Sequence, residues 1–221
     1  MKKILLIFAS TLLFVSCKQH VLSDSFIYFS ESQPVNVDEV TSFPKKYIGT
    51  YAMDYSHQIE IQSKMVLLKQ IETIEATKSE LDSLPGIQFK NNQIYDVERK
   101  IACKTFVKND TIQWEMVNID TLFSFAENEV AKIYKSSLIL NKEIEGNYQV
   151  NIIKFNSLGV TEVQLGTKKD ASFIHSELKI PRDVIIENSD TTRVVLTPSR
   201  ADFRKLLRLD NFEFQNQYRF H

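Results

Sequence analysis

Glycine and proline are scarce in this chain, with only 5 of each among 221 residues. Aromatic residues are plentiful instead, since the chain holds 15 Phe and 8 Tyr. A sequence with so many large apolar side chains can form a packed core, which argues against long disordered tracts. Because glycine is rare, we expect strands joined by polar turns rather than long glycine-rich loops.

The motifs of common catalytic and metal sites are also missing. The sequence has no Gly-x-Ser-x-Gly elbow, no P-loop and no Gly-x-Gly-x-x-Gly segment. No two of its four histidines have a metal-ligand spacing such as i, i+4, because they are scattered at His20, His57, His175 and His221. We therefore predict no metal, no cofactor and no enzymatic activity. His57, in MDYSHQIE, is the one candidate for an acid–base pocket, and a polar hairpin turn is the interpretation that we favour.

Neither sign of charge dominates the chain. Lys and Arg number 27 and Asp and Glu number 28, which gives a formal net charge of −1. No basic stripe is visible in the sequence, so we predict that the protein does not bind nucleic acid.

Residues 1–16 have the three parts of a secretory signal peptide. Lys2 and Lys3 form the positive start, Ile4 to Val15 form an apolar run, and the small Ser16 precedes the cleavage point. The apolar run is shorter than the roughly 20 residues that a membrane-spanning helix needs. The pattern therefore predicts a signal peptide that is removed, rather than a transmembrane helix.

The segment Phe14-Val15-Ser16-Cys17 resembles a bacterial lipobox, although Leu is usual where Phe14 stands. The resemblance implies cleavage before Cys17 and a diacylglyceryl group on its sulfur. Two acyl chains give stable anchoring, since each buried CH₂ contributes about 0.8 kcal/mol. Lys18 is not the Asp that retains lipoproteins in the inner membrane, so the resemblance implies anchoring in the outer membrane, facing the periplasm. An ordinary signal peptide with an incidental cysteine is the alternative.

Cys103 is the only other cysteine in the chain. With Cys17 carrying lipid, Cys103 has no partner for an intramolecular disulfide, so the fold must depend on packing. Its setting, IACKTF, alternates like a strand, and no His lies near it in sequence. We predict a buried structural cysteine, with a reactive thiol as the alternative.

The chain after the signal peptide divides into two parts. Residues 17–45 contain Pro34, Pro44 and many polar residues, which predicts a lipid anchor and tether, although Phe26 to Ser30 is apolar enough to dock as a strand. Residues 46–221 have a regular pattern and are predicted to form a single β-rich domain.

The regular part consists mostly of short alternating segments, such as YIGTYAM, QIEIQ, TIQWEM, YQVNIIKFN and VTEVQLG. Successive strands with short polar breaks are typical of an antiparallel meander. In TIQWEM, Ile112, Trp114 and Met116 share one face. Residues 65–81 fit either a helix or a strand, and their Thr and Ile content favours a strand.

One helix start is readable near the end of the chain. Ser199 and Asp202 form a capping box, which predicts a helix over residues 199–208. The predicted fold is thus mainly β, an antiparallel meander sheet or a closed barrel, with one C-terminal helix before the last strand. That last strand is predicted to pack one aromatic face into the core: Phe212, Phe214, Tyr218 and Phe220.

The segment KKYIGTY, Lys45 to Tyr51, resembles the Gly-x-Trp motif in the first strand of lipocalins, with Tyr51 in place of Trp. Arg219 lies roughly where that family keeps a basic residue near the end of its barrel. The resemblance implies a lipocalin-like barrel whose mouth binds an apolar ligand. The alternative is that Gly49 lets a strand bend.

Four Asp-Ser or Asp-Thr pairs resemble the acceptor pattern for envelope O-glycosylation in one group of Gram-negative bacteria. The resemblance implies bulky, solvated glycans on four surface residues: Ser83, Thr111, Thr121 and Thr191. The alternative is structural. Asp is favoured in turns and Thr in strands, so each pair marks a turn that enters a strand.

These observations predict a lipid-anchored cell-envelope protein with no catalytic role. The main hypothesis is a binding module for an apolar or amphiphilic ligand, for which we expect an apolar cavity within the sheet. The second is an envelope assembly or scaffold protein that binds another protein through an exposed apolar patch. The third is a hydrolase with titratable residues clustered in a cleft near His57.

Overall fold

The computed structural model describes residues 26–127, 129–187 and 190–220. The helices are α1 (Lys78–Leu81), α2 (Lys168–Leu178) and α3 (Arg200–Leu206), with a 3-10 turn at Lys45–Tyr47. The strands are β1 (Ile27–Phe29), β2 (Glu39–Val40), β3 (Gly49–Ala52), β4 (His57–Ile61), β5 (Met65–Thr77), β6 (Ile87–Lys90), β7 (Gln93–Asp96), β8 (Ile101–Ala102), β9 (Lys104–Lys108), β10 (Thr111–Ser124), β11 (Val130–Tyr134), β12 (Ser137–Ile144), β13 (Asn147–Asn156), β14 (Gly159–Gln164), β15 (Arg182–Glu187), β16 (Asp190–Leu196) and β17 (Phe214–Phe220).

Over these residues, fourteen strands form one large sheet and β6, β7 and β8 form a small second sheet. The large sheet runs in the order β15-β16-β1-β13-β14-β17-β3-β4-β5-β10-β9, with β12, β11 and β2 continuing from β13. Its pairs are antiparallel except for β1 with β16. The predicted mainly β, antiparallel fold is therefore confirmed. The sheet branches at β13 and its end strands do not pair, so it forms no closed, lipocalin-like barrel.

The central strands are buried on both faces. Ile139 of β12 and Ile152 of β13 pack on the side that we call the helix-side core. Their chain neighbours Leu138 and Ile153 pack on the opposite side, which we call the aromatic core. Successive side chains of a strand point to opposite faces, so each central strand contributes to both cores.

Helices α2 and α3 cover the helix-side core. In each helix a hydroxyl accepts a hydrogen bond from the third backbone N–H and an Asp carboxylate accepts one in return, at Thr167–Asp170 and Ser199–Asp202. The predicted helix start at Ser199 is confirmed, and the helix ends at Leu206. The prediction of a single helix omits α1 and α2, although α2 has the same capping signal. Among the described residues, no helix has the length and apolar character needed to cross a membrane.

Strands β5 and β10 are long and pair along their whole length. Their far ends, with α1 and β6 to β9, form what we call the arm. Ile94, Cys103, Ile112 and Trp114 are buried together there as the arm core. The strand prediction for residues 65–81 is confirmed as far as Thr77, after which α1 begins.

Part of the predicted tether is built into the large sheet. β1 pairs with β13 and β16, and Phe29 is fully buried. Side chains hold the loop that follows. Asn141 Nδ2 donates to the carbonyl oxygen of Gln33 (2.9 Å), and Lys132 Nζ donates to two carbonyl oxygens of the same loop. The folded domain therefore takes in residues 26–45 as well.

The last strand departs from its prediction. Phe212 is buried but precedes β17, and Tyr218 is buried within it. Phe214 and Phe220, however, are 54% and 69% exposed. The prediction that these two side chains pack into the core is wrong because they lie at the two ends of the strand, and β3 pairs only with Arg219 and Phe220. β17 nevertheless links β14 to β3 and so joins the two parts of the large sheet.

Candidate functional site

Of the two cysteines, only Cys103 lies among the described residues. Cys17 lies outside the described residues, and its lipidation stays a prediction. Cys103 is 4% exposed in the arm core, which confirms its predicted burial, and this burial raises the pKa of the thiol. A thiol kept protonated among apolar side chains is a structural group rather than a nucleophile.

His57 lies at the β3–β4 hairpin, which confirms the polar turn. The Asp54 carboxylate accepts hydrogen bonds from the backbone N–H groups of Ser56 and His57 (both 2.7 Å), and His57 Nδ1 lies 3.1 Å from it. The side chains of Asp54 and His57 are about half exposed. They stabilise the turn from outside and do not line a cleft. Among the described residues, no group of three or more His, Cys, Asp or Glu side chains is placed to hold a metal ion.

The four candidate glycosylation residues fall in different settings. Ser83 is exposed in the turn after α1, and Thr111 follows the β9–β10 turn as the first residue of β10. Thr121 is exposed but lies within β10, so the turn-into-strand explanation does not hold for it. Thr191 pairs with Ile186 in the sheet, but its side chain is outside the described residues. Glycosylation at these residues stays a prediction.

A charged cluster lies on the exposed face of the arm. Lys104 Nζ donates to Glu115 Oε1 (2.9 Å) and to the Tyr55 hydroxyl (2.8 Å), and that hydroxyl donates to Glu115 (2.8 Å). The hydrogen bond from Lys104 lowers the pKa of the Glu115 carboxyl. Each charged group already has a partner, so the cluster fastens the β3–β4 hairpin to the arm and leaves no free group for a ligand.

A different arrangement occurs where α3 faces the β11–β12 turn. Arg200, Arg204 and Arg208 are spaced four residues apart, so the helix and the turn after it align them in a row. Lys135, in the β11–β12 turn, lies beside this row. Arg204, Arg208 and Lys135 form no ion pair with any residue that the structure describes. We call this region, with Tyr134 and Lys154, the basic groove.

Two surface depressions share Lys135 and Arg204. The first has a volume of about 630 Å³ and also contacts Tyr134 and Arg200. The second has a volume of about 270 Å³ and also contacts Lys154, Phe155, Leu207 and Arg208. Of the residues that the structure describes, no Asp or Glu lines either depression. Together they have the size of an ordinary small-molecule site, roughly 300–1,000 Å³.

Lys154 brings a partly dehydrated cation into the basic groove. Its Nζ donates to the carbonyl oxygen of Leu209 (3.1 Å) and lies 3.9 Å from Asp210 Oδ1. Burial lowers the pKa of the Lys154 ammonium group. Asp210 is 75% exposed, and such an ion pair contributes little. An anion bound here would offset the loss of hydration of the Lys154 ammonium group.

A third depression, of about 400 Å³, lies on the other side of Phe155. Phe155 packs against Tyr47 and Tyr51 with ring centres 4.5 and 5.9 Å apart, and Tyr51 packs against Phe220 at 5.5 Å. We call this depression, with Lys46 and Leu158 also in its lining, the aromatic cleft.

The lipocalin-like motif lies next to the aromatic cleft. A Cβ atom on Gly49 would lie 3.1 Å from the Phe220 ring, so Gly49 makes room for that ring. Tyr51 is buried in the aromatic core, and Arg219 is exposed. The motif residues thus border an open cleft, whereas the resemblance implies the mouth of a closed barrel.

One carboxylate is buried in the sheet. Glu162 is 1% exposed and accepts hydrogen bonds from Gln164 Nε2 (2.8 Å), the Tyr218 hydroxyl (3.0 Å) and Asn216 Nδ2 (3.3 Å). Burial, helped by the Glu162 carboxylate, raises the pKa of Tyr218. Three neutral donors compensate for the buried charge, so this network stabilises the β14–β17 pair.

Comparison with protein-family models, with curated proteins and with solved structures gave no match for this chain. The functional argument therefore depends on the geometry of the basic groove. Sequence reasoning missed this groove because Lys135, Lys154 and α3 come from three separate segments. The one signal in the sequence is the spacing of Arg200, Arg204 and Arg208.

Proposed function

We propose that this protein is a lipid-anchored component of the cell envelope that binds an anionic amphiphile in the basic groove. The observation that carries the proposal concerns Lys135, Arg204 and Arg208, which have no ion-pair partner among the described residues. They lie around two depressions that no carboxylate of the described part of the chain lines. A guanidinium group matches a phosphate or carboxylate with two parallel hydrogen bonds. Phe155 and Leu207 offer apolar contact beside these cations.

The energetics of α3 support an anionic ligand. Like charges at i, i+4 on a helix destabilise it by about 0.2–0.5 kcal/mol per pair. Within α3 this applies to Arg200 with Arg204, and Arg208 and Lys135 place further positive charge beside Arg204. A bound anion would remove this repulsion, and it would gain hydrogen bonds to charged donors.

In this proposal the ligand lies in an open groove rather than in a cavity within the sheet. The two faces of the central strands are occupied by the helix-side core and the aromatic core. The groove instead uses the outer surface of α3 and the end of the β11–β12 hairpin. Its predicted place is the periplasmic side of the outer membrane, with Cys17 as the lipid anchor.

Calorimetric titration with octyl phosphate tests the proposal. The chain starting at Lys18 is suitable because every described element lies after it. We expect saturable binding of octyl phosphate, and binding at least tenfold weaker for octyl glucoside and for inorganic phosphate, since each lacks one half of the match. Calorimetry is preferable to tryptophan fluorescence because Trp114 is buried in the arm core.

The matched variants lie in the last turn of α3 and in the turn that follows it. Arg204→Ala with Arg208→Ala should weaken octyl phosphate binding by tenfold or more, because a hydrogen bond to a charged group contributes about 1.5–3 kcal/mol. Lys205→Ala is the control, since it removes a positive charge from the same helix at a residue that lies near Asp202. Equal binding by the double variant and the control would contradict the proposal, as would equal affinity for octyl glucoside.

The second candidate function is assembly with another envelope protein. The observation that favours it is an exposed apolar set on the arm, where Phe106 is 51%, Val117 37% and Ile119 55% exposed. A photo-crosslinking residue in place of Ile119 should then give one adduct of defined mass in intact envelopes. The same residue in place of Leu84 should give none.

A further inference from the structure

The β13–β14 turn presents a leucine to solvent in a fixed position. Leu158 is 76% exposed, the highest value among the large apolar side chains that the structure describes. The turn is ordered, because Asn156 Oδ1 accepts hydrogen bonds from the backbone N–H groups of Leu158 (2.8 Å) and Gly159 (3.1 Å). An exposed leucine on an ordered turn has a large unburied apolar area and little conformational freedom left to lose on binding.

Phe220 lies beside this turn. It is 69% exposed, and both Phe220 and Leu158 line the aromatic cleft. The Phe220 ring packs against the Tyr51 ring and fits over Gly49, which has no side chain. Two large apolar side chains therefore lie together where β14 begins and β17 ends.

One lysine lines the aromatic cleft, and two more are next to lining residues in the sequence. Lys46 lines the aromatic cleft with its Nζ 4.7 Å from the Tyr47 ring centre, and its neighbour Lys45 is exposed. Lys135 is exposed next to Ser136, which also lines the cleft. These three lysines have no carboxylate partner among the described residues, and no Asp or Glu lines the cleft. Apolar tips with lysines around them match the acyl and head-group layers of an anionic bilayer.

We propose that this edge of the domain, formed by Leu158, Phe220, Lys45, Lys46 and Lys135, docks on the surface of an anionic lipid bilayer. The two apolar side chains enter the boundary between head groups and acyl chains, and the lysines lie at the level of the phosphates. The nine residue steps from Cys17 to Phe26 span at most about 30 Å. Phe26 lies at the Gly166 end of β14, roughly 23 Å from the Leu158 end, so this length is enough for a lipid on Cys17 to reach the bilayer at which Leu158 docks. Docking and the basic groove share Lys135, whereas neither Leu158 nor Phe220 lines that groove.

Vesicle sedimentation with the chain starting at Lys18 tests the docking surface without the lipid anchor. We expect binding to vesicles of phosphatidylethanolamine and phosphatidylglycerol, and binding at least tenfold weaker to vesicles of phosphatidylcholine alone. Leu158→Ser with Phe220→Ser should weaken binding to the anionic vesicles by about tenfold or more, because two buried apolar side chains are lost. Ile119→Ser, which removes an exposed apolar side chain from the arm, should leave it unchanged.

Octyl phosphate titration separates this inference from the proposed function. The Leu158→Ser, Phe220→Ser variant should bind octyl phosphate like the unaltered chain, since neither residue lines the basic groove. Failure of the unaltered chain to sediment with anionic vesicles, or equal sedimentation of the double variant, would overturn the docking surface while octyl phosphate binding persists. Loss of octyl phosphate binding as well would mean that the proposed function has failed too.

Discussion

Gly159→Ala tests how closely β14 and β17 approach each other. A Cβ atom on Gly159 would lie 2.0 Å from the carbonyl oxygen of Tyr218 and 2.8 Å from the Cα atom of Arg219. Both are backbone atoms, so no side-chain rotation relieves the overlap. The φ of Gly159 is +151°, which L residues rarely adopt. The variant must therefore separate the two strands at the point where β17 joins the two parts of the sheet.

The size of the effect follows from these two causes. Forcing extra atoms into packed structure costs about 1–3 kcal/mol, and a positive φ costs a non-glycine residue about 1–2 kcal/mol. We therefore expect a loss of about 2–5 kcal/mol in the free energy of unfolding. For a domain of this size, each kcal/mol lowers Tm by about 2–4 °C, so Tm should fall by about 4–20 °C.

Gly146→Ala is the matched control for this experiment. Gly146 has a φ of +78°, but a Cβ atom added to it would meet no other atom within 4 Å. It therefore carries the backbone cost without the steric cost, and Tm should fall by only a few degrees. The assay is urea unfolding and thermal unfolding followed by circular dichroism. Equal losses for the two variants would refute the reasoning from strand approach.

Further predictions concern the core, the anchor and the effect of pH. Phe203→Ala should cost about 3–5 kcal/mol because Phe203 is fully buried, whereas Phe214→Ala should cost less than about 1 kcal/mol, as denaturant midpoints would show. Cys17→Ala should abolish labelling by a fatty-acid analogue, and label retained by the variant would disprove the lipid anchor. Burial raises the pKa of Glu129 in the folded state, so its ionisation opposes folding. The chain therefore loses stability as pH rises from the unfolded pKa, about 4.3, toward the raised folded pKa. Urea titrations of Glu129→Gln and of the unaltered chain give the difference in their free energies of unfolding. This difference should favour the variant more at pH 7 than at pH 4, and equal differences at the two pH values would contradict the raised pKa of Glu129.

Local sequence patterns predicted the start of α3 and the buried face of β10 well. The capping box at Ser199 and the shared burial of Ile112 and Trp114 both follow from the physics of a few neighbouring residues. Helix α2 has the same kind of cap at Thr167, so its start could be predicted in the same way. The exposure of Phe214 could not, because alternation predicts which face a side chain takes but not whether anything covers that face.

The basic groove shows where sequence reasoning stops. Lys135 meets Arg204 only because β11 and β12 form a hairpin whose turn lies against α3. That contact depends on the order of strands in the whole sheet, and strand order is set by packing between distant segments. The row of arginines on α3 predicts one side of the groove, and no local signal indicates what lies opposite it.

The position of β1 has a consequence for the order in which the chain folds. β1 lies between β13 and β16 and pairs Ile27 with Val194, so the first strand of the sheet needs a partner near the opposite end of the chain. Such non-local pairing is slow, because a long loop must close before the contact forms. The last strand, β17, is likewise needed to join β14 to β3. The sheet therefore cannot be completed until the C-terminal strand is available, and under the proposed export this means after that strand has crossed the membrane.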